Sequence, residues 1–504
     1  MAVGHKMKKR TRKTPPRSLS ASGDKRKKRP GSERGGKRFQ VSRACGRCKL
    51  LRRGCEERRP CGRCVRAGRA DDCVAPPGPA SAPASASSTA GVGASPEWTL
   101  VADVAASAPV AECADLFFDN CYPTIPVLTP EYIRRLQTSA AASASASPAP
   151  ARAEAEAEAE ACVLLVAFCA FVLLHVHEPP GARSNRQYGA QLLARASAAC
   201  RAVCWGLTPS LDACLVSFFL YAGHTRLSRH SQAFLFLRQA TALWVLVKDR
   251  RPPDADPDAE RALLFERLFW VLVASERSHA IRYGRSITLH LTPDTPDLDE
   301  LRTSAPALWS LAALFRPVDS AFMAVLNREA AAPAPAPAPD VLAAAERCID
   351  AAVPAHLPFR DVQKANLRIT RLWLCIVIWQ LRLRLGHLTD ASHQRSLTYR
   401  YPLDVARELV AATRDLPTQA MEVHGVGLTE KLFDIASAVV HVTAGVPRQP
   451  DPRAPPPGDD DLRYIRRLVV QLPGGRDVYD GLLESHVEQA LRSRLRARRG
   501  HADG

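Results

Sequence analysis

The chain is predicted to be mostly α-helical, with a small cysteine-rich N-terminal domain, a flexible linker and a large all-α domain. Three features of its 504 residues lead there. From Trp98 onward, apolar-rich segments of helical length alternate with Pro- and Gly-rich breaks, and no series of period-two strands accompanies them. Six of the fifteen cysteines fall within residues 45–73. The positive charge is confined to one end. Residues 1–73 hold 25 Lys or Arg and 6 Asp or Glu, a net of +19, while the rest holds 44 basic and 45 acidic residues, a net of −1. Such asymmetry points to a polyanionic partner for the N-terminal end alone.

Residues 1–40 are Lys, Arg, Ser, Gly and Pro with almost no large apolar side chains. They cannot bury enough surface to offset the entropy of ordering, and a disordered basic tail is expected. Within it, Lys6–Lys13 (KMKKRTRK) and Lys25–Arg29 (KRKKR) suit nuclear import or phosphate contacts, although a solvated charged tail would look the same. No secretory signal is read here, because charge and proline follow the basic runs where an apolar core would be needed. The longest apolar run, Ala161 to Leu174, is shorter than the roughly 18–20 residues that cross a bilayer. It is read as a buried helix of an intracellular protein with no membrane partner. In a reducing compartment, clustered cysteines favour metal over disulfides.

The small domain is placed at 41–75. Its cysteines are spaced Cys45-x2-Cys48-x6-Cys55-x5-Cys61-x2-Cys64-x8-Cys73. A C-x2-C pair presents two thiolates on one tight turn, and zinc takes four such ligands. Two separate sites would need eight sulfurs, whereas one zinc would strand two thiols. Six sulfurs serve two ions when two of them bridge. Formally, two zinc ions and six thiolates sum to a negative core, so side chains must supply the positive face. Arg43, Arg47, Lys49, Arg52, Arg53, Arg58, Arg59, Arg63, Arg66 and Arg69 do so. A short helix starting near Gly46 would bring Lys49, Arg52 and Arg53 within one or two turns of each other.

This run resembles the fungal binuclear zinc cluster in its spacing, in Pro60 just before the fourth cysteine, and in the basic stretch between the second and third. The resemblance implies a cofactor of two zinc ions. Cys45 and Cys61 would bridge, Cys48 and Cys55 would complete one site, and Cys64 and Cys73 the other. It also implies a nuclear, sequence-specific transcription factor acting on RNA polymerase II genes, whose helix reads CGG-like half-sites in the major groove. By position, Arg52 matches the family's base-reading lysine, while Lys49 and Arg53 suit phosphates and Arg43 and Arg47 flank them. Two positions depart from the pattern. Leu51 and Gly54 stand where the family is usually basic, which would weaken or retune CGG-type recognition. The competing reading is a zinc-stapled protein-interaction co-regulator that does not itself read DNA.

A linker is expected at 76–97, where Ala75 to Ser95 is rich in Pro, Ala and Ser and carries no heptads. The regulatory domain is placed at 98–495, followed by a disordered tail at 496–504. Its apolar segments are Ala161–His175, Arg186–Trp205, Leu211–Gly223, Ser231–Val247, Ala262–His279, Leu308–Leu326, Val362–Leu385, Tyr401–Leu416 and Gly427–Val440. Ala140–Ala151 and Ala330–Pro339 read as surface loops. The alternating RAEAEAEAE of Arg152–Glu160 reads as the solvated start of the following helix, since Ala and Glu favour helices.

Several blocks resemble the middle regulatory domain of fungal transcription factors, closest to regulators of maltose, starch and sucrose use. They are LFFDNCYPTIPVLTPEYI (Leu116–Ile133), FLFLRQATALW (Phe234–Trp244), ERLFWVLVASERSHAIRYGRSITLH (Glu266–His290), DVQKANLRITRLWLCIVIWQLRL (Asp361–Leu383) and HGVGLTEKLFDIASAVV (His424–Val440). The partners this implies are double-stranded DNA, the transcription machinery, a second copy of the chain and a small-molecule inducer. Read physically, Trp270, Trp373 and Trp379 are core, as are Cys162, Cys169, Cys200, Cys214 and Cys375. Glu276, Arg277, Arg282 and Arg285 interrupt apolar sequence and are expected to form a partly buried ion-pair network, with ligand recognition as the alternative. His175-Val-His177 lacks metal-site context. Asp254–Glu260 and Asp459–Asp461 are acidic patches that suit solvated loops or contacts to activator machinery. No P-loop, G-x-S-x-G, H-E-x-x-H or G-x-G-x-x-G motif is found, so no catalytic residue is assigned and an enzyme is not expected.

Overall fold

The Glu-Ala repeat and the apolar stretch behind it form one helix of 24 residues, Arg152–His175, and that helix is the axis of the first of two cores. The computed structural model describes residues 61–66, 109–144, 152–176, 185–202, 209–250, 258–327, 338–355, 358–445 and 458–502. Among these the elements are helical, with no strand. The chain divides into two units, Met1–Thr89 and Ala90–Gly504. In the first, the described residues are Cys61 and the short helix α1 (Gly62–Arg66).

The second unit runs α2 (Pro109–Leu116), which continues as a π-helical turn Phe117–Cys121, then α3 (Pro130–Ala144), α4 (Arg152–His175), α5 (Asn185–Ala202), α6 (Leu211–Arg226), α7 (His230–Arg250) and α8 (Ala259–Tyr283). After a long extended turn come α9 (Leu301–Ser304), α10 (Pro306–Phe315), α11 (Ser320–Asn327), α12 (Pro339–Ala351), α13 (Asp361–Leu385), α14 (Tyr401–Thr413), α15 (Thr418–Glu422), α16 (Val426–Gly445), α17 (Asp459–Gln471) and α18 (Asp480–Ala502).

Local chemistry sets the ends of these helices. The Ser210 hydroxyl accepts the Ala213 N–H at 3.0 Å and caps α6. The Asp258 carboxylate accepts Glu260 and Arg261 N–H groups and caps α8. At the other end of α8, Gly284 takes φ 61°, a left-handed conformation that side chains resist. Pro306 and Pro339 open α10 and α12, where a missing N–H costs nothing. Helices α5 and α6 approach closely at Gly223, where a Cβ would lie 2.6 Å from Leu193 Cδ1.

Two cores result. The first gathers α2 to α7 around α4, whose residues Ala161 to Leu174 are buried on every side. An evenly apolar helix of this kind belongs inside a large protein, and each fully buried Val, Leu or Phe stabilises it by about 1.5–3 kcal/mol. The second core is built from α12 to α18 around α13 and α16. Helix α8 serves both: Leu264 to Val273 pack in the first core, Ala274 and Ala280 in the second. Helix α10 does the same through Leu308 and Ala312 on one side and Leu314 and Phe315 on the other.

Four expectations need correction. The segment Leu308–Leu326 is two helices bent by 54°, because Pro317 cannot continue α10. Ala140 to Ala144 belong to the end of α3, not to a loop, since alanine sustains a helix well. Helix α18 continues to Ala502, past the expected domain end at 495. The Glu-Ala repeat also lengthens the apolar stretch. Glu156–His175, with mean hydropathy 2.2, passes a bilayer-span test of length and composition, yet 89% of its apolar window is buried within the protein.

Candidate functional site

Of the predicted metal ligands, Cys61 and Cys64 lie among the described residues. Both are fully buried. The Cys61 carbonyl accepts the N–H groups of Cys64 at 2.9 Å and Val65 at 3.1 Å, so the C-x2-C pair forms the tight turn at the head of α1 that two adjacent zinc ligands require. The backbone of this turn is compatible with two neighbouring thiolate ligands. Cys45, Cys48, Cys55 and Cys73 lie outside the described residues, as do Arg43, Arg47, Lys49, Arg52 and Arg53, the tail at 1–40 and the linker at 76–97. Among the described residues, no three His, Cys, Asp or Glu stand together as a metal site.

In the helical unit the four interrupting charges do not form one network. Glu276 is buried, pairs with Arg238 at 2.7 Å, and accepts the Thr288 and Leu289 N–H groups at 2.8 and 2.9 Å. It thereby pins the extended turn after α8 back onto that helix. Among the described residues, Arg277 has no carboxylate at ion-pair distance; it donates to the Phe315 carbonyl at 2.7 Å and closes the C-terminus of α10, where a cation meets the negative helix end. Burial pulls its pKa down to about 10. Arg285 and Arg238 both lie over the Phe234 ring, at 4.9 and 5.2 Å. Arg282 pairs with Glu430 across to α16. The other Glu430 oxygen accepts the Tyr283 hydroxyl at 2.6 Å and the Tyr479 hydroxyl at 2.7 Å, so this carboxylate is saturated.

Where the two cores meet, a cavity of about 180 Å³ opens between α4, α6, α8, α10 and α16. Its apolar walls include Phe171, Phe218, Val271, Leu311, Phe315 and Leu428. Polar groups enter from several sides. His175 Nδ1 donates to the Phe171 carbonyl at 2.8 Å, and His424 Nε2 donates to the Val362 carbonyl at 2.8 Å. Burial, helped by Arg226, lowers the His175 pKa to about 3. Burial likewise lowers His424 to about 4, with Lys431 pressing from the same side. Both imidazoles are therefore neutral near pH 7.

Among the described residues, Lys431 is the lining cation without a carboxylate at ion-pair distance. Its ammonium donates to Thr370 Oγ1 at 2.8 Å and lies 5.4 Å from the Trp373 ring and 5.9 Å from the Phe315 ring. Burial, with Arg282 adding, drops its pKa to about 7. The Thr124 hydroxyl on the cavity wall is buried and makes no hydrogen bond among the described residues. A site of this kind can hold a small molecule by apolar contact and orient it through one cation and a few hydroxyls. Of the residues singled out in the sequence, Arg282 and His175 reach this cavity; His177 lies outside the described residues. Lys431, His424 and Thr124 were not anticipated. A lone lysine in an apolar helical block, directly after Glu430, was the available signal.

The remaining assignments are structural. Cys162, Cys169, Cys200, Cys214 and Cys375 are buried, as are Trp270, Trp373 and Trp379. Burial pushes the Cys375 thiol up to about 12, which makes it inert. In the acidic patches, Asp258 and Glu260 pair with Arg135, and Asp459 and Asp460 pair with Arg463 in the first turn of α17.

No protein-family model matches the chain. It is similar to the "Probable sucrose utilization protein SUC1" of Candida albicans (strain SC5314 / ATCC MYA-2876), with 22% identity over 245 residues. The matched stretch is 46% of this chain and 47% of that protein, so the chain spans about half the length of the curated relative it matches.

Proposed function

We propose that the chain is a DNA-binding transcription regulator of the binuclear zinc-cluster type, acting in the nucleus on sugar-utilisation genes. The observation that carries this reading is the six-cysteine spacing of Cys45 to Cys73 set among nine Lys and Arg side chains. The turn at Cys61–Cys64 and the likeness to a sucrose utilization protein support it. Cys45, Cys48, Cys55, Cys61, Cys64 and Cys73 would hold two zinc ions, whose work is to fold and stiffen the domain rather than to catalyse. Arg52 would read bases, and Lys49, Arg53, Arg43 and Arg47 would neutralise phosphates. The helical unit would receive the inducing signal, contact the transcription machinery or a second copy of the chain, and perform no chemistry of its own.

The reading is tested by fluorescence anisotropy with the full chain on CGG-containing and scrambled duplexes, with and without zinc chelation. Specific binding should exceed binding to scrambled DNA by about a thousandfold or more, and should vanish on chelation. Equal affinity for every duplex, unchanged by chelation, would reject it in favour of the protein-interaction module. Two substitutions separate base reading from charge. Arg52→Ala should cost about 1–3 kcal/mol on the preferred site and relax base preference there. Lys49→Ala should weaken all duplexes alike and flatten the salt dependence by about one unit of slope.

A further inference from the structure

We propose that the cavity between the two cores binds a small organic anion, one carboxylate or phosphoryl group on a largely apolar body, with Lys431 as the residue that receives its charge. The inference stands apart from the DNA-binding reading and is measured on the chain alone.

Size comes first. The cavity, of about 180 Å³, has room for a small organic molecule. The wall chemistry then narrows the class. Against Phe171, Phe218, Val271, Leu311, Phe315 and Leu428 a hydrocarbon body would be buried favourably.

Charge decides the rest. Among the described residues, no Asp or Glu lines the cavity. Arg282 reaches it but is already neutralised by Glu430. His175 and His424 have each committed one ring nitrogen to a carbonyl and are uncharged near neutrality. Among the described lining residues, Lys431 is the one that keeps charge to give. One of its three donors is used, on Thr370, and the groups around it are Arg282 from α8, His175 from α4, His424 from the turn before α16, and Glu430 and Asp434 on its own helix. Of these, Glu430 is saturated by Arg282, Tyr283 and Tyr479, and Asp434 accepts the Trp373 indole N–H at 2.8 Å. A buried ammonium without a counterion is costly, and an incoming anion would relieve that cost while the Thr124 hydroxyl gained a partner.

The experiment uses the full chain and four probes: 3-phenylpropionate, phenyl phosphate, the neutral isostere 3-phenylpropanol, and sucrose. Binding is read as a thermal-shift increment and by calorimetric titration at millimolar ligand. Both anions should raise Tm and titrate, while the alcohol and sucrose should not. Lys431→Met should reduce affinity for the anions at least tenfold while the chain still melts cooperatively. Because the ammonium must be protonated when the anion binds and its free pKa is about 7, 3-phenylpropionate affinity should fall about tenfold from pH 6 to pH 8. The anion–alcohol comparison needs no variant, so the proposal remains testable even where Lys431→Met does not fold. Equal binding of acid and alcohol, absence of binding by both anions, retained affinity in Lys431→Met, or preferred binding of sucrose would each overturn it.

Discussion

Cys61→Ala should strip the chain of both zinc ions and reduce its DNA affinity to the non-specific level. On the proposed reading Cys61 is one of the two bridging thiolates, so its loss leaves each ion one ligand short. Binding of a structural zinc is itself folding energy, about 10–16 kcal/mol at neutral pH, and the sequence of residues 41–75 offers few large apolar side chains to replace it. Cys61 is also fully buried, and its carbonyl holds the first turn of α1 through Cys64 and Val65. Specific binding should therefore fall by about a thousandfold or more. Metal content measured by atomic absorption, alongside anisotropy, checks this directly. Cys348→Ala, at an exposed cysteine of the helical unit, is the control and should leave both quantities unchanged. Two zinc ions per chain retained in Cys61→Ala would refute the bridging role.

Glu346→Gln should destabilise the helical unit by about 3–5 kcal/mol, a large share of the 5–15 kcal/mol typical of a folded domain. Glu346 on α12 accepts Arg382 Nη2 at 3.0 Å and the Ser396 hydroxyl at 3.0 Å. Arg382 is 1% exposed and also donates to the Ser396 carbonyl at 3.3 Å. Glutamine keeps the volume but removes the charge, leaving a guanidinium in the core with neutral partners only. In urea the midpoint should fall with an unchanged slope, since the surface exposed on unfolding is the same. The double replacement Glu346→Leu with Arg382→Met should lose much less, because it removes both charges and their desolvation together. A loss below about 1 kcal/mol in Glu346→Gln would show that the pair is hydrated.

The long helices were legible because their apolar runs are long enough for a period to emerge. Those runs identified α4, α6, α8, α13 and α16 within a few residues, and capping residues such as Ser210 and Gly284 account for their ends. The break at Pro317 was hidden by the apolar residues on both sides of it. The cavity had no local signature, since its walls come from residues between Cys121 and Lys431 on separate elements. Lys431 in particular looked answered by its neighbour Glu430. Adjacent residues on a helix face different directions, however, and Glu430 turns to Arg282 while Lys431 turns to Thr370. The proposed zinc ligation rests on the cysteine spacing in the sequence, since Cys45, Cys48, Cys55 and Cys73 lie outside the described residues.

Helix α8 belongs to both cores, and its last two turns carry Arg277 to the end of α10 and Arg282 to Glu430 of α16. Neither core can open without stripping one face of this helix, and doing so exposes the other core's lining as well. The helical unit accordingly behaves as one cooperative block despite its two centres. Anything that occupies the space between them acts as a rivet, raising the cost of opening for both halves at once.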